Sequence, residues 1–185
     1  GYRGVADLRG RRIGVSASES ATQSVLGILL RRGGLTPADV SLVSVGMGAG
    51  ALNALRSGQI DAISNVEPVM TMLEHRGDVR ILADTRSLAG AQDILGGPMP
   101  AGCLCASTEY VQKHPATCQA LAHAIVRALK WLRTAGPGDI VRTVPEEYLL
   151  GDRGLYLLSL AKVIEAFSLD GLMPQDGART ALRVL

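Results

Sequence analysis

The chain has 185 residues, is 47% hydrophobic but only 3% aromatic, and carries a formal net charge of +2. That length suits one domain or two small lobes. Its basic residues are scattered, which leaves no electrostatic footprint for nucleic acid, and no apolar run approaches the roughly 18 residues of a membrane span.

The first half alternates strand and helix patterns. Residues 12–16 read as a strand built on Ile13 and Val15. Ser16, Ala17 and Ser18 make a turn, and Glu19 or Ser20 caps a helix over residues 20–32 with Val25, Ile28, Leu29 and Arg32 at helical spacing. Gly33 and Gly34 end it. A second strand follows at residues 41–45. A glycine-rich loop at 46–50 then leads into a helix carrying Leu52 and Leu55, closed by Gly58. A third strand spans 61–65, Glu67-Pro68 opens a third helix with Val69, Met72 and Leu73, and Gly77 stops it. A fourth strand is expected at 79–83.

Connections this long exclude hairpins, so the strands form a parallel sheet covered by helices. The handedness of such crossovers puts every strand-to-helix loop on one edge, where open α/β sheets bind ligands. Three loops then meet. The first offers Ser16, Ser18, Ser20, Ala21 and Thr22 at a positive helix end suited to an anionic or polar small ligand. The second offers Gly46, Met47 and Gly48, and the third Asn65 and Glu67.

Each candidate has a structural alternative. Ser20 and Thr22 are ordinary helix-cap residues, and Glu67 complements a helix dipole as well as it would face a ligand. The run Gly46-Met-Gly-Ala-Gly50 is not GxGxxG and lacks the acidic residue of a dinucleotide site.

Beyond Pro100 the pattern becomes helical. Residues 85–100 read as a long loop or crossover and 101–107 as a fifth strand. Helices follow at 108–113, at 115–133 with Pro115 in the first turn, at 139–143, from 145 toward Leu150, at 152–167 with Leu157, Leu160, Ile164 and Phe167 inward, and at 174–185, a final helix that includes Ala178, Ala181, Leu182 and Leu185. Cys103 and Cys105 alternate on one strand face, too far apart for a disulfide, and read with Cys118 as buried apolar thiols. His75, His114 and His123 stand beside no nucleophile or carboxylate pair. No catalytic residue, metal site or cofactor is therefore expected.

The motifs Asp7-Leu-Arg-Gly-Arg-Arg-Ile-Gly-Val15, Ser20-Ala-Thr22, Ser57-Gly-Gln-Ile-Asp-Ala62, Glu67-Pro68 and the distal Phe167-Ser-Leu-Asp-Gly-Leu-Met-Pro-Gln-Asp-Gly-Ala178 together resemble periplasmic substrate-binding proteins of ABC importers. The branch resembled serves sulfonates, taurine, nitrate and thiamine-pyrimidine precursors. The resemblance implies an α/β, type II periplasmic-binding-protein fold whose cleft closes on a ligand. It divides the chain into a second lobe (7–84), a crossover and return strand (85–107) and a mostly helical part of the first lobe (108–185). Hinges would lie near Thr85 and Ala101. It also implies that the chain begins late, without the N-terminal portion of the first lobe, an incompleteness that would favour pairing between chains. The partners implied are a small-molecule ligand and an ABC permease, in the periplasm or on a membrane anchor outside the cytoplasm.

Two alternatives share the architecture. A pyrimidine-precursor synthase would carry a cysteine-rich motif, which Cys103-Leu-Cys105 is not. A ligand-sensing domain of a LysR-type regulator would follow a helix-turn-helix, and the first ten residues hold none.

Overall fold

A computed structural model describes residues 2–149 and 151–185; the turn expected at Gly1 and the helical end expected at Leu150 fall outside them. β1 (Arg12–Val15) is the central strand, with β2 (Ser41–Ser44) and β3 (Ala62–Ser64) on either side, all parallel in the order β2-β1-β3. Ile13 and Val15 alternate onto one face and are each 1% exposed. That face meets α1 (Ala21–Arg32), which buries Thr22, Leu26 and Leu30. The other face carries Ile63 and meets α2 (Ala49–Arg56) and α3 (Val69–His75). Gly14 points to this second face because a Cβ there would stand 2.6 Å from Ile60 Cδ1.

The expected fourth strand does not form. Residues 79–83 run without secondary structure after Asp78 closes the turn beyond α3. The expected loop at 85–100 instead contains α4 (Leu88–Leu95), capped by the Ser87 hydroxyl and ended by Gly96 in the left-handed region. α4 packs Ala91, Ile94 and Leu95 against Val25, Ile28 and Leu29, so α1 lies between the sheet and α4.

The expected fifth strand at 101–107 is also not formed, and Cys103 and Cys105 are exposed rather than buried. An alternating pattern makes a strand only where a neighbour covers one face and completes the ladder. None does so here.

α5 (Thr108–Lys113) and α6 (Pro115–Leu132) pack on each other, with Pro115 as the first residue of α6 and no residue of α6 fully buried. α7 (Pro137–Thr143) leads to α8 (Arg153–Val163), which returns to α3. The inward stripe of α8 is Leu155 and Ser159, while Ile164 and Phe167 are exposed, contrary to the periodicity. α9 (Gly177–Val184) lies against α1 through Val184, buries Gly177 against Pro100 and Thr180 against Gly97, and leaves Leu182 and Leu185 in solvent. In α8 the inward polar residue, Ser159, bonds the Glu67 carboxylate, and apolar spacing alone could not show that.

Candidate functional site

The parallel register sets Val15 beside Ser44 on one side and Ser64 on the other. The three loops that follow these residues therefore open on the same edge. Val45 and Gly46 extend the pairing by donating their N–H groups to Val15 O and Ser16 O.

A network of hydroxyls builds the first loop. Thr22 Oγ1 lies 3.0 Å from Ser16 N, 2.9 Å from Ser16 Oγ and 2.8 Å from Ser20 Oγ. Ser20 Oγ donates to Ala17 O at 2.7 Å. A hydroxyl has one proton, so Ser20 must accept from Thr22, and Thr22 must accept from both Ser16 groups. Ser20 also caps α1 by accepting from Gln23 N. The hydroxyl protons of Ser16, Thr22 and Ser20 are thus assigned, and Thr22, only 7% exposed, is the hub of this network.

What remains for a ligand is mainly backbone. The N–H groups of Ala21 and Thr22, in the first turn of α1, have no acceptor within their helix. Ser18 Oγ and Ser44 Oγ are 3.3 Å apart, and only one of their two protons is needed between them. Glu19 takes a left-handed conformation (φ 59°) that turns the loop into the helix and lets its N–H reach Gln23 Oε1. The site therefore presents donors at a positive helix end, the arrangement that favours a small anion.

The other two loops frame it. Gly46 adopts φ 76°, which an L side chain resists, and its carbonyl accepts from Asn65 Nδ2 at 2.8 Å. Asn65 Oδ1 accepts from Val66 N, so the Asn65 side chain ties the β2 loop to the β3 loop. Gly48 caps α2 with backbone alone, and Met47 is exposed. Ser64 Oγ donates to Thr22 O, bracing the first loop from β3.

Glu67 is differently placed. Its carboxylate accepts from Thr71 N, Ser159 Oγ at 2.8 Å and Arg86 Nη1 at 3.0 Å. With three protein donors it serves the packing of α3 against α8. Arg86 in turn grips Asp84 and Glu74, and Lys162 Nζ reaches Glu74 at 2.6 Å. The Lys162 and Arg86 contacts hold the Glu74 carboxyl below the usual range, and Asp84 raises the Arg86 guanidinium further.

Sequence reasoning did not single out Ser44, whose hydroxyl meets Ser18. Its signal is positional: it ends β2 in register with Val15. His75, His114 and His123 are exposed and apart from the rim. Among the described residues no group of three His, Cys, Asp or Glu side chains is placed to hold a metal.

Residues 3–141 match the model of a family described as the NMT1-like family. A structure from Bordetella bronchiseptica RB50 is similar over 99% of this chain and 57% of that one, at 53% identity and a TM-score of 0.94. The alkanesulfonate-binding protein SsuA from Xanthomonas axonopodis pv. citri, solved with MOPS bound, is similar over 97% of this chain and 56% of its own, at 23% identity and a TM-score of 0.68. The periplasmic aliphatic sulphonate binding protein SsuA from Escherichia coli is similar over 98% of this chain and 56% of its own, at 22% identity and a TM-score of 0.65. The chain therefore spans a little more than half the length of these structures, and at the two lower identities the likeness is one of fold. No curated protein matches the chain.

Proposed function

The chain belongs to the NMT1-like family, and from that premise we propose that it is the ligand-holding part of a solute-binding protein serving an ABC-type importer. It captures a small anionic or polar organic molecule, of the sulfonate, taurine, nitrate or pyrimidine kind, without transforming it. The observation that carries this reading is the convergence of three strand-end loops on one edge, with the Ala21 and Thr22 N–H groups at the start of α1. The sulfonate-binding proteins named above share the fold, which supports a ligand of that charge.

In this reading Ser16, Ser20 and Thr22 fix the loop, Ser18 and the first-turn amides donate to the ligand, and Gly46, Met47 and Gly48 with Asn65 form the side wall. Glu67 supports from behind. A second lobe closes over the ligand by hinge motion near Thr85 and Ala101, and the loaded form docks on a membrane permease outside the cytoplasm. Binding alone is required of the site, so no residue acts as a catalyst.

The test is calorimetry and amide chemical-shift mapping of the chain with taurine, an alkanesulfonate and nitrate. We expect saturable binding of at least one anion, with the largest shifts at Ala21 and Thr22. Binding with shifts confined to other regions, or no binding of any of the three, would remove the reading.

A further inference from the structure

The strand-to-helix loops share one edge of the sheet, so the strand entries and the helix exits share the opposite one. Arginines that are far apart in the sequence meet there. Arg9, Arg11 and Arg12 lead into β1, and Arg31 and Arg32 end α1. Arg56 and Arg76 stand at the ends of α2 and α3, and Arg80 follows the turn at Gly77. Contacts join these positions into one border. Arg9 pairs with Asp39 ahead of β2, Arg12 with Asp61 ahead of β3 at 2.9 Å, and Arg56 with Asp78 beyond α3 at 2.8 Å. The end of α1 adjoins the start of the chain's described part, because a Cβ on Gly33 would stand 2.9 Å from Val5 Cβ. Arg3 and Arg80 both act on Asp7, the first through its N–H and the second through its charge. Arg32 reaches the carbonyl of Asp93. All these arginines are exposed, and residues 1–112 contain no lysine. Nine arginines against five aspartates leave an excess of four positive charges on one edge of a chain whose net charge is only +2.

Two ordinary causes put arginine at such an edge. Helix ends attract cations, and Arg9, Arg12 and Arg56 each have an aspartate. Neither accounts for Arg11 and Arg80, which end no helix and form no ion pair among the described residues. Arg11 instead lies over the Tyr2 ring, 5.5 Å from its centroid. The paired arginines also keep donors to spare: a guanidinium has five N–H groups, and Arg56 spends one of them on Asp78. We propose that this edge docks on the phosphate headgroups of an anionic phospholipid bilayer. The planar fork of arginine matches phosphate oxygens in pairs. The interspersed aspartates decide among polyanions. A partner with fixed charges, such as a nucleic-acid duplex or an acidic protein face, would set some of them against a carboxylate. Lipids diffuse within their leaflet and gather beneath the arginines alone, and each basic side chain near the surface adds to the attraction. The ligand rim points the other way and stays free, so the inference does not depend on the ligand reading.

The test is sedimentation of the chain with mixed phosphatidylglycerol and phosphatidylcholine vesicles at about 20 mM NaCl, with pure phosphatidylcholine vesicles as the neutral control. We expect partition into the anionic vesicles only, falling at least about tenfold at about 200 mM NaCl, where screening is strong. Arg11→Gln combined with Arg80→Gln should lower it at least about fivefold. Arg142→Gln combined with Arg179→Gln removes the same charge from exposed sites on α7 and α9 and should leave it within about twofold. A wild-type urea midpoint for each pair keeps folding out of the comparison. Four results overturn the proposal. One is no partition into anionic vesicles at low salt. Another is partition that is equal in neutral vesicles or indifferent to salt, which would mark the apolar stripe of α6. The third is an equal loss for the two pairs, which would mark net charge rather than this edge. The fourth is tighter binding of a DNA duplex than of anionic vesicles at equal phosphate concentration, which would assign the edge to nucleic acid.

Discussion

Thr22 joins the loop's conformation to its chemistry. Its hydroxyl accepts from Ser16 and donates to Ser20, and its carbonyl accepts from Ser64. Thr22→Val keeps the shape and removes the oxygen, leaving Ser16 N–H without its partner in a part-buried place. We expect a loss of about 1–3 kcal/mol in urea unfolding, together with weaker anion binding. Wild-type stability would show that the network is redundant. The sequence points to Thr22 through the cap pattern and the Ser20-Ala-Thr22 motif, and the cap pattern predicts an almost neutral substitution; its 7% exposure and its three hydroxyl contacts, invisible in spacing, reverse that. Asp61 is a second residue whose role the sequence shows only as a position. The Arg12 guanidinium and then the Arg12 backbone N–H hold its carboxyl down to about 2. A depressed carboxyl contributes stability that is complete above its unfolded value and is lost as pH falls through its folded one. Asp61 therefore contributes fully above about pH 4, and its contribution disappears between about pH 4 and pH 2. Asp61→Asn should flatten the unfolding midpoint against pH in that window, and an unchanged slope would show that the pair does not matter.

At the level of elements, the pattern of the first 78 residues is nearly sufficient. Strand, glycine and cap signals placed β1 to β3 and α1 to α3 within a residue or two, because each element finds its partner among its sequence neighbours. The reading fails where the partner is distant or missing. Residues 79–83 and 101–107 alternate like strands yet have no ladder to join. α4 was readable, with Ser87 before it and Gly96 after it, but a polar, glycine-rich run masked those marks. Arg86, just beyond residues 79–83, holds this region to the rest. It is only 16% exposed and bridges Asp84, Glu67 and Glu74, while Glu67 and Glu74 also bond α8 through Ser159 and Lys162. Arg86→Met would leave two carboxylates short of their main cation. Only the Arg86–Glu67 pair is buried, so the cost is set by leaving Glu67 without its cation and should be about 2–3 kcal/mol, the two more exposed carboxylates adding little. Lys162→Met, at a pair about one third exposed, should cost under about 1 kcal/mol. Measured by chemical denaturation, equal losses for the two variants would contradict the assignment of Arg86 as the centre.

Across the whole molecule, apolar burial is uneven. Among the described residues, three clusters of buried side chains draw on the sheet, α1 to α4, α8 and α9, and none includes a residue of α5 or α6. α6 is nevertheless amphipathic, with Leu121 and Ile125 nearly half exposed. Helical stability in proteins comes chiefly from packing one face, and an isolated helix of this length is marginal in water. The two regions should therefore differ in stability. Amides of β1 around Ile13 should exchange only on global unfolding, and those of α6 around Ile125 by local opening at much lower free energy. The double variant Leu121→Lys, Ile125→Lys should change the global unfolding free energy by no more than about 0.5 kcal/mol, because neither side chain leaves a core. It should also reduce binding of a hydrophobic dye, since it breaks the apolar stripe. If the variant instead unfolds the chain, or if Ile125 exchanges as slowly as Ile13, then α6 belongs to the same cooperative unit as the sheet. Its exposed face would then be stabilised by its contacts with α5 and with the turn at Gly171, where Val126 and Leu129 lie against the backbone.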